Sequence, residues 1–357
     1  MNLLAGITLH FIGAFAASVC YTPQKKTRHW SWQTYWLMQA TVCWLVLPVL
    51  VAVLTIPDLP QVLAEAPGSA MRSSFLLGAL YGIGGTAFGL AIRYVGFSLT
   101  YAISVGISCV AGTLLPLLYE GKLTSVLGGK GGNVIALGIV AGALGITLCG
   151  MAGRLKEKDY QEQNLHDKSY SFSIGITLCI LSGILSALYG FSLFQGQPIA
   201  DVAAKHGAGN LQGNVIYIFS NSGAFLTTAI YCIFLHNRHK TWQEYKGITK
   251  QPENTPFIPD EKKGTLSKNY LLAFLTGTLW YTQFFFYGIG HNNMGVYKFT
   301  SWAIHMIMLV LISAVLGIIM KEWTGTRRKT IRVLTGALII LIAAVLTITW
   351  GNHLGEN

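Results

Sequence analysis

Residues 279–295 read LWYTQFFFYGIGHNNMG. Six aromatic residues stand there with Gln283 and His291 among them. The stretch is apolar enough for a hydrocarbon core, yet it carries hydrogen-bonding tips that lipid cannot satisfy. At 100° per residue, Trp280, Phe284, Tyr287 and His291 fall on one stripe about 60° wide, with Gln283 at its margin. Such a stripe must face protein or a hydrophilic cavity.

Working outward, apolar runs recur along all 357 residues, each near the roughly 20 residues that cross a hydrocarbon core of about 30 Å. Hydrophobic residues make up 52% and charged residues only 11%. A water-exposed surface of this size would need far more charge. The runs are continuous rather than alternating, which excludes a transmembrane β-barrel. The expected fold is an all-α polytopic membrane protein with ten transmembrane helices, at 2–20, 33–55, 73–92, 95–118, 132–152, 171–194, 213–235, 269–289, 296–320 and 331–350. No basic residue precedes the first run, so it reads as a retained helix rather than a signal peptide.

The formal charge is +11, but its distribution matters more than its size. Twenty of the 25 Lys and Arg fall in, or within two residues of, the connections after spans 1, 3, 5, 7 and 9. Four lie on the other side, and Lys298 lies inside a span. This is the positive-inside asymmetry. It places both termini outside the cytoplasm and makes a nucleic-acid partner unnecessary. The connection 154–170 is then a cytoplasmic linker, and 236–268 a mobile cytoplasmic loop.

Two segments look alike. GALYGIGGTAFG (78–89) and GTLWYTQFFFYG (277–288) match at a shift of 199, so that Gly78 meets Gly277, Tyr81 meets Trp280 and Phe88 meets Tyr287. Five-helix units repeated in tandem insert with opposite orientations. The chain therefore reads as two inverted five-helix repeats, 1–153 and 171–352, with a site near the midplane between them.

Polar residues inside the spans outline that site. Lys298, Trp302 and His305 share one face of span 9, with Ser301 beside them. His10, Ala14, Ala17 and Tyr21 line a face of span 1. Span 6 offers Ser182, Ser186 and Tyr189, and span 7 offers Asn221. Plainer readings stand beside these. Tyr281 and Trp350 suit interfacial anchoring. Asn221, Ser182 and Ser186 suit hydrogen bonds between helices, and Lys298 can snorkel to an interface. The stripe Gly78, Gly82, Gly85, Gly89 marks close helix packing or a sliding seam. GGKGGN (128–133) reads as a turn, since no Lys-Ser/Thr follows it. The six cysteines suit packing. No HExxH, GxSxG or paired intramembrane carboxylates occur, and no nucleotide-binding domain, so neither an enzyme nor an ATP-driven pump is expected. Aromatic faces with Gln, Asn, Lys and His tips suit a polyhydroxylated ligand.

FIGAFAASVCYTPQKK (11–26), HWSWQTYW (29–36), LWYTQFFFYGIGH (279–291), YKFTSWAIHM (297–306) and KEW (321–323) resemble the L-rhamnose–proton symporter family of the drug/metabolite transporter superfamily. The resemblance implies a secondary transporter of the bacterial inner membrane that takes up L-rhamnose, or a related deoxy sugar, with protons and without a cofactor. It implies that Trp280, Tyr287 and Trp302 clasp the sugar. Gln283, Lys298, Asn221 and the histidines would bond its hydroxyls, with Tyr81, Tyr189 and Ser301 nearby. His305 and His10 are the expected proton carriers, because no acidic residue lies deep in the spans and histidine titrates near neutrality. The chain departs from the family at Lys298, where members carry an acidic residue. That departure keeps sodium open as an alternative coupling ion, and uncoupled sugar transport as well. A metabolite or drug exporter of the same superfamily, an intramembrane transferase and a sugar sensor are the rival readings.

Overall fold

In a bilayer every backbone polar group must be satisfied within the segment, so continuous apolar runs fold as helices. The computed structural model describes residues 3–162, 171–248, 262–295, 298–321 and 323–356. Its long helices are α1 (Leu3–Val19), α2 (Trp32–Thr55), α3 (Gly68–Gly96), α4 (Tyr101–Tyr119) and α5 (Gly132–Glu162). There follow α6 (Phe172–Gln195), α7 (Asn214–His239), α8 (Lys262–Asn293), α9 (Thr300–Ile319) and α10 (Arg328–Glu356). Each of them carries the greater part of one expected span.

Eight of these regions are long and apolar enough to cross a membrane among the described residues. This is an all-α polytopic membrane protein. Two helices fall outside the eight. α1 is apolar but has 17 residues. α8 has 32 residues, but its Trp, Tyr, Gln and Gly residues dilute its hydropathy. The stripe that attracts attention in the sequence is thus the reason α8 is not plainly a span. Leu54, Leu346 and Ile319 are among many large apolar side chains exposed on the outside, as a lipid-facing surface requires.

Several boundaries differ from the expectation. α5 continues through 154–162, which the sequence reads as linker, and 163–170 lies outside the described residues. Asp159 holds that extension by accepting hydrogen bonds from Arg327 N (2.9 Å) and Thr330 Oγ1 (2.6 Å). The 236–268 region is not all loop. α7 runs to His239, Trp242–Lys246 forms a 3-10 turn, and α8 starts at Lys262. Residues 249–261 lie outside the described residues. Gly96, with φ +78°, breaks the chain between α3 and α4. That conformation suits glycine, which lacks the Cβ that would clash.

α5 packs along α10, α3 lies against α6 and α7, and α1 lies against α8 and α9. The glycine stripe of α3 makes close packing possible. A Cβ on Gly78 would stand 2.0 Å from the Ser220 carbonyl oxygen, and one on Gly82 would stand 2.3 Å from that of Ala224. Gly85 and Gly89 instead accept the rings of Trp44 and Trp36. The GGKGGN segment is a turn leading into α5, where Gly131 (φ +77°) abuts the backbone of Gly351. All six cysteines are buried free thiols.

The connections sort into two ends. The α1–α2 connection meets the α7–α8 connection through Trp30 Nε1, which donates to Glu244 O (3.1 Å). The end of α5 meets the α9–α10 connection through Tyr160 and Thr324. At the opposite end, Asn214 of α7 donates to Thr55 of α2 (3.0 Å), and His206 pairs with Glu65 (2.9 Å). The strongly basic connections therefore gather at one end.

Candidate functional site

A cavity lies midway along the bundle, walled by α1, α2, α3, α4, α6, α8 and α9. Its walls are mostly rings. Tyr81 and Tyr189 lie 4.5 Å apart between centroids, and Trp44 and Trp280 lie 5.1 Å apart, edge to face. Trp280 Nε1 donates to the Tyr21 hydroxyl (3.0 Å), and Trp302 Nε1 donates to Ser108 O (2.9 Å). Gln283, Ser104 and Ser186 add polar tips to the lining. Trp44 Nε1 and Ser108 Oγ are buried with no hydrogen-bond partner among the described residues. Such groups are costly in a dry interior, so they suit a hydroxylated ligand.

Trp302 separates this cavity from a larger vestibule, and it lines both. Space open to the centre of a water molecule is about 90 Å³ in the cavity and about 420 Å³ in the vestibule. The Trp302 ring fits because Gly112 and Gly190 stand against it. A Cβ on Gly112 would lie 2.4 Å from Trp302 Nε1. The vestibule is lined by Glu120, Lys122 and Asp201 at the less basic end.

The basic end is shut. Trp32 stacks on Trp36 (5.0 Å) and Trp36 on Tyr21 (5.7 Å), while Phe88 meets Tyr101 edge-on (5.0 Å). Beyond this column, the Glu244 carboxylate ties the α7–α8 connection to the start of α2. Its Oε2 accepts from Ser31 N (2.7 Å), Ser31 Oγ (2.8 Å) and Thr34 Oγ1 (2.6 Å). The conformation is open at one end and closed at the other.

Tyr81, Tyr189, Trp280, Gln283 and Trp302 come together in the central cavity. Tyr287 and Lys298 line the vestibule. Asn221 lies behind the wall, fully buried, where its Oδ1 accepts from the Tyr189 hydroxyl. It thus makes a hydrogen bond between α6 and α7. Ser301 is fully buried beside Trp302 and lines neither cavity. His10 and His305 are buried with Tyr287, at 5.2 Å and 5.5 Å from its ring. Trp350 is exposed on the outer surface, whereas Tyr281 is buried against Tyr217 (6.2 Å) and is no interfacial anchor.

Trp44, Tyr101, Phe88, Ser104 and Ser108 line the cavity although the sequence reading did not select them. Trp44 lies in a π-helical turn, Thr41–Val46, and Tyr101 and Ser104 lie in another, Tyr101–Val105. Each π turn rotates the following residues away from a 100° register. A helical wheel therefore assigns them to the wrong face. Their ring and hydroxyl chemistry was the available signal.

The family described as L-rhamnose-proton symport protein (RhaT) matches residues 1–351 of this chain. The chain belongs to the L-rhamnose-proton symporter family. Similar proteins include the L-rhamnose-proton symporter of Cronobacter sakazakii, 32% identical over 342 residues and 95% of each chain. That of Mannheimia succiniciproducens is 32% identical over 346 residues and 96% of each chain. That of Klebsiella pneumoniae is 32% identical over 342 residues and 95% of each chain. The symporter family consists of transporters, not enzymes, and its description names the proton. It gives sodium coupling no support.

Proposed function

We propose that the protein imports L-rhamnose, or a closely related deoxy sugar, together with a proton. The family match over residues 1–351 carries this reading. The ring-walled cavity with unpartnered polar tips is what such a substrate needs, since sugar C–H faces pack on rings and hydroxyls need donors and acceptors. In this reading Trp280, Tyr81, Tyr189 and Trp302 enclose the sugar, and Gln283 bonds a hydroxyl. Tyr287 and Lys298 meet it in the vestibule. Asn221 fixes the Tyr189 hydroxyl, and Ser301 stands beside Trp302.

Transport runs by alternating access between two inverted five-helix halves, 1–153 and 171–352, in the bacterial inner membrane with both termini outside. Ten spans are counted by including α1 and α8. Helix packing supports the repeat. Exchanging α1–α5 with α6–α10 in order turns the α3–α6 contact into α8–α1, and the α6–α4 contact into α1–α9. It returns α5–α10 to itself. Gly78 of α3 abuts α7, and its counterpart Gly277 of α8 abuts α2. The matched rings Tyr81 and Trp280 lie 6.2 Å apart. Phe88 helps close the basic end, while its counterpart Tyr287 lines the vestibule.

His305 and His10 carry the proton. Their rings lie 5.9 Å apart. The driving force is adequate. One pH unit supplies about 1.4 kcal/mol, roughly tenfold accumulation, and 100 mV adds about 2.3 kcal/mol per charge moved.

Labelled L-rhamnose uptake into proteoliposomes tests this. Accumulation above equilibrium is expected only with an inward proton gradient. Uptake that merely equilibrates refutes the coupling. No rhamnose flux refutes the substrate and favours an exporter.

A further inference from the structure

Among the described residues, no histidine and no charged residue lines the central cavity. The proton site must therefore lie elsewhere, and the structure shows where titratable rings gather. His10 of α1, His305 of α9 and His291 of α8 surround Tyr287. The Tyr287 ring lies 5.2 Å from His10, 5.5 Å from His305 and 5.8 Å from His291, on which it stacks. Neither ring nitrogen of His10 has a hydrogen-bond partner among the described residues, nor does Nδ1 of His291 or of His305. Buried imidazole nitrogens are normally satisfied. Three rings with open nitrogens in one place suit a site whose occupant is a proton.

Only His291 of the three also lines the vestibule. Lys298 stands near it, and Glu120, Lys122 and Asp201 face the same space. His10 and His305 meet the same Tyr287 ring but line neither the vestibule nor the cavity. Trp302 meets Tyr287 edge-on at 5.7 Å and stands between vestibule and cavity.

We propose that His291 admits the proton from the vestibule and that proton and sugar part there. The proton goes past Tyr287 to His10 and His305, and the sugar goes past Trp302 to the central cavity. A ring nitrogen of His291 takes a proton from vestibule water, and that same proton is then held by the His10–His305 pair. Two charges on rings so close would repel, so the pair holds one. This rests on the reading of proton-coupled sugar transport.

The test uses the whole chain in proteoliposomes. H291Q keeps a polar side chain but cannot titrate near neutrality. For each protein, gradient-driven accumulation of L-rhamnose is divided by its exchange at equal pH on both sides. The ratio is expected to fall at least tenfold in H291Q, and rhamnose-induced proton uptake is expected to fall with it. An unchanged ratio overturns the proposal. So does loss of both activities together, which would make His291 a sugar or folding residue. Wild-type protein that exchanges rhamnose but ignores the gradient overturns the coupling reading and the proposal with it. A second measurement needs no sugar. Diethylpyrocarbonate is expected to modify His291 at least tenfold faster than His10 and His305, read by peptide mass spectrometry. Failure of wild-type rhamnose exchange would refute the substrate alone, and the labelling order would still decide this proposal. Equal labelling of the three histidines overturns it.

Discussion

Replacing Glu244 by alanine should loosen the closed end of the bundle. The carboxylate accepts three hydrogen bonds from Ser31 and Thr34, and it joins the α7–α8 connection to the start of α2. Hydrogen bonds to a charged group are worth about 1.5–3 kcal/mol each. The site is partly exposed, so water competes, and about 2–4 kcal/mol for the three together is a fair discount. At about 1.4 kcal/mol per decade, that shifts the balance between closed and open forms roughly 30- to 700-fold. Native Cys20 reports the shift. It is 1% exposed and adjoins Tyr21 in the aromatic column. Maleimide labelling of Cys20, read by peptide mass spectrometry, should rise at least tenfold in E244A and only slightly in E244Q, which keeps an acceptor oxygen. Unchanged Cys20 labelling in a folded E244A protein would refute the idea that this carboxylate holds the end shut.

Other expectations follow from close contacts. Gly112→Ala places a Cβ 2.4 Å from Trp302 Nε1, so the ring must move; rhamnose uptake should fall at least tenfold with little change in melting temperature. Gly78→Val drives side-chain atoms into the Ser220 backbone and should destabilise by about 3 kcal/mol or more, seen as a loss of folded protein on size exclusion. Tyr189→Phe removes the hydroxyl that Asn221 accepts from and should cost about 1–3 kcal/mol, measured as a lower melting temperature in detergent. Gln283→Ala should weaken rhamnose binding about tenfold, the loss of roughly one net hydrogen bond, by tryptophan fluorescence titration.

The amino-acid sequence by itself determined that this is a helical membrane protein and where its helices lie. Continuous apolar runs have only one common solution in lipid, and charged connections mark the turns. It also picked out Tyr81, Tyr189, Trp280, Gln283 and Trp302, because intramembrane polar tips and rings stand out against aliphatic neighbours. Only the tertiary structure decided the rest. Trp44 and Tyr101 reach the cavity through π turns that break the helical register, so no wheel could find them. Asn221 faces a neighbouring helix rather than the cavity, a choice set by how α7 is rotated against α6. His10, His291 and His305 are separated by up to 295 positions in the chain, and three helices had to pack before they could share one tyrosine. The residues beside a helix in sequence are fixed by local geometry. The residues in front of it are fixed by which backbones can approach, and at Gly78 and Gly82 that is decided by the absence of a side chain.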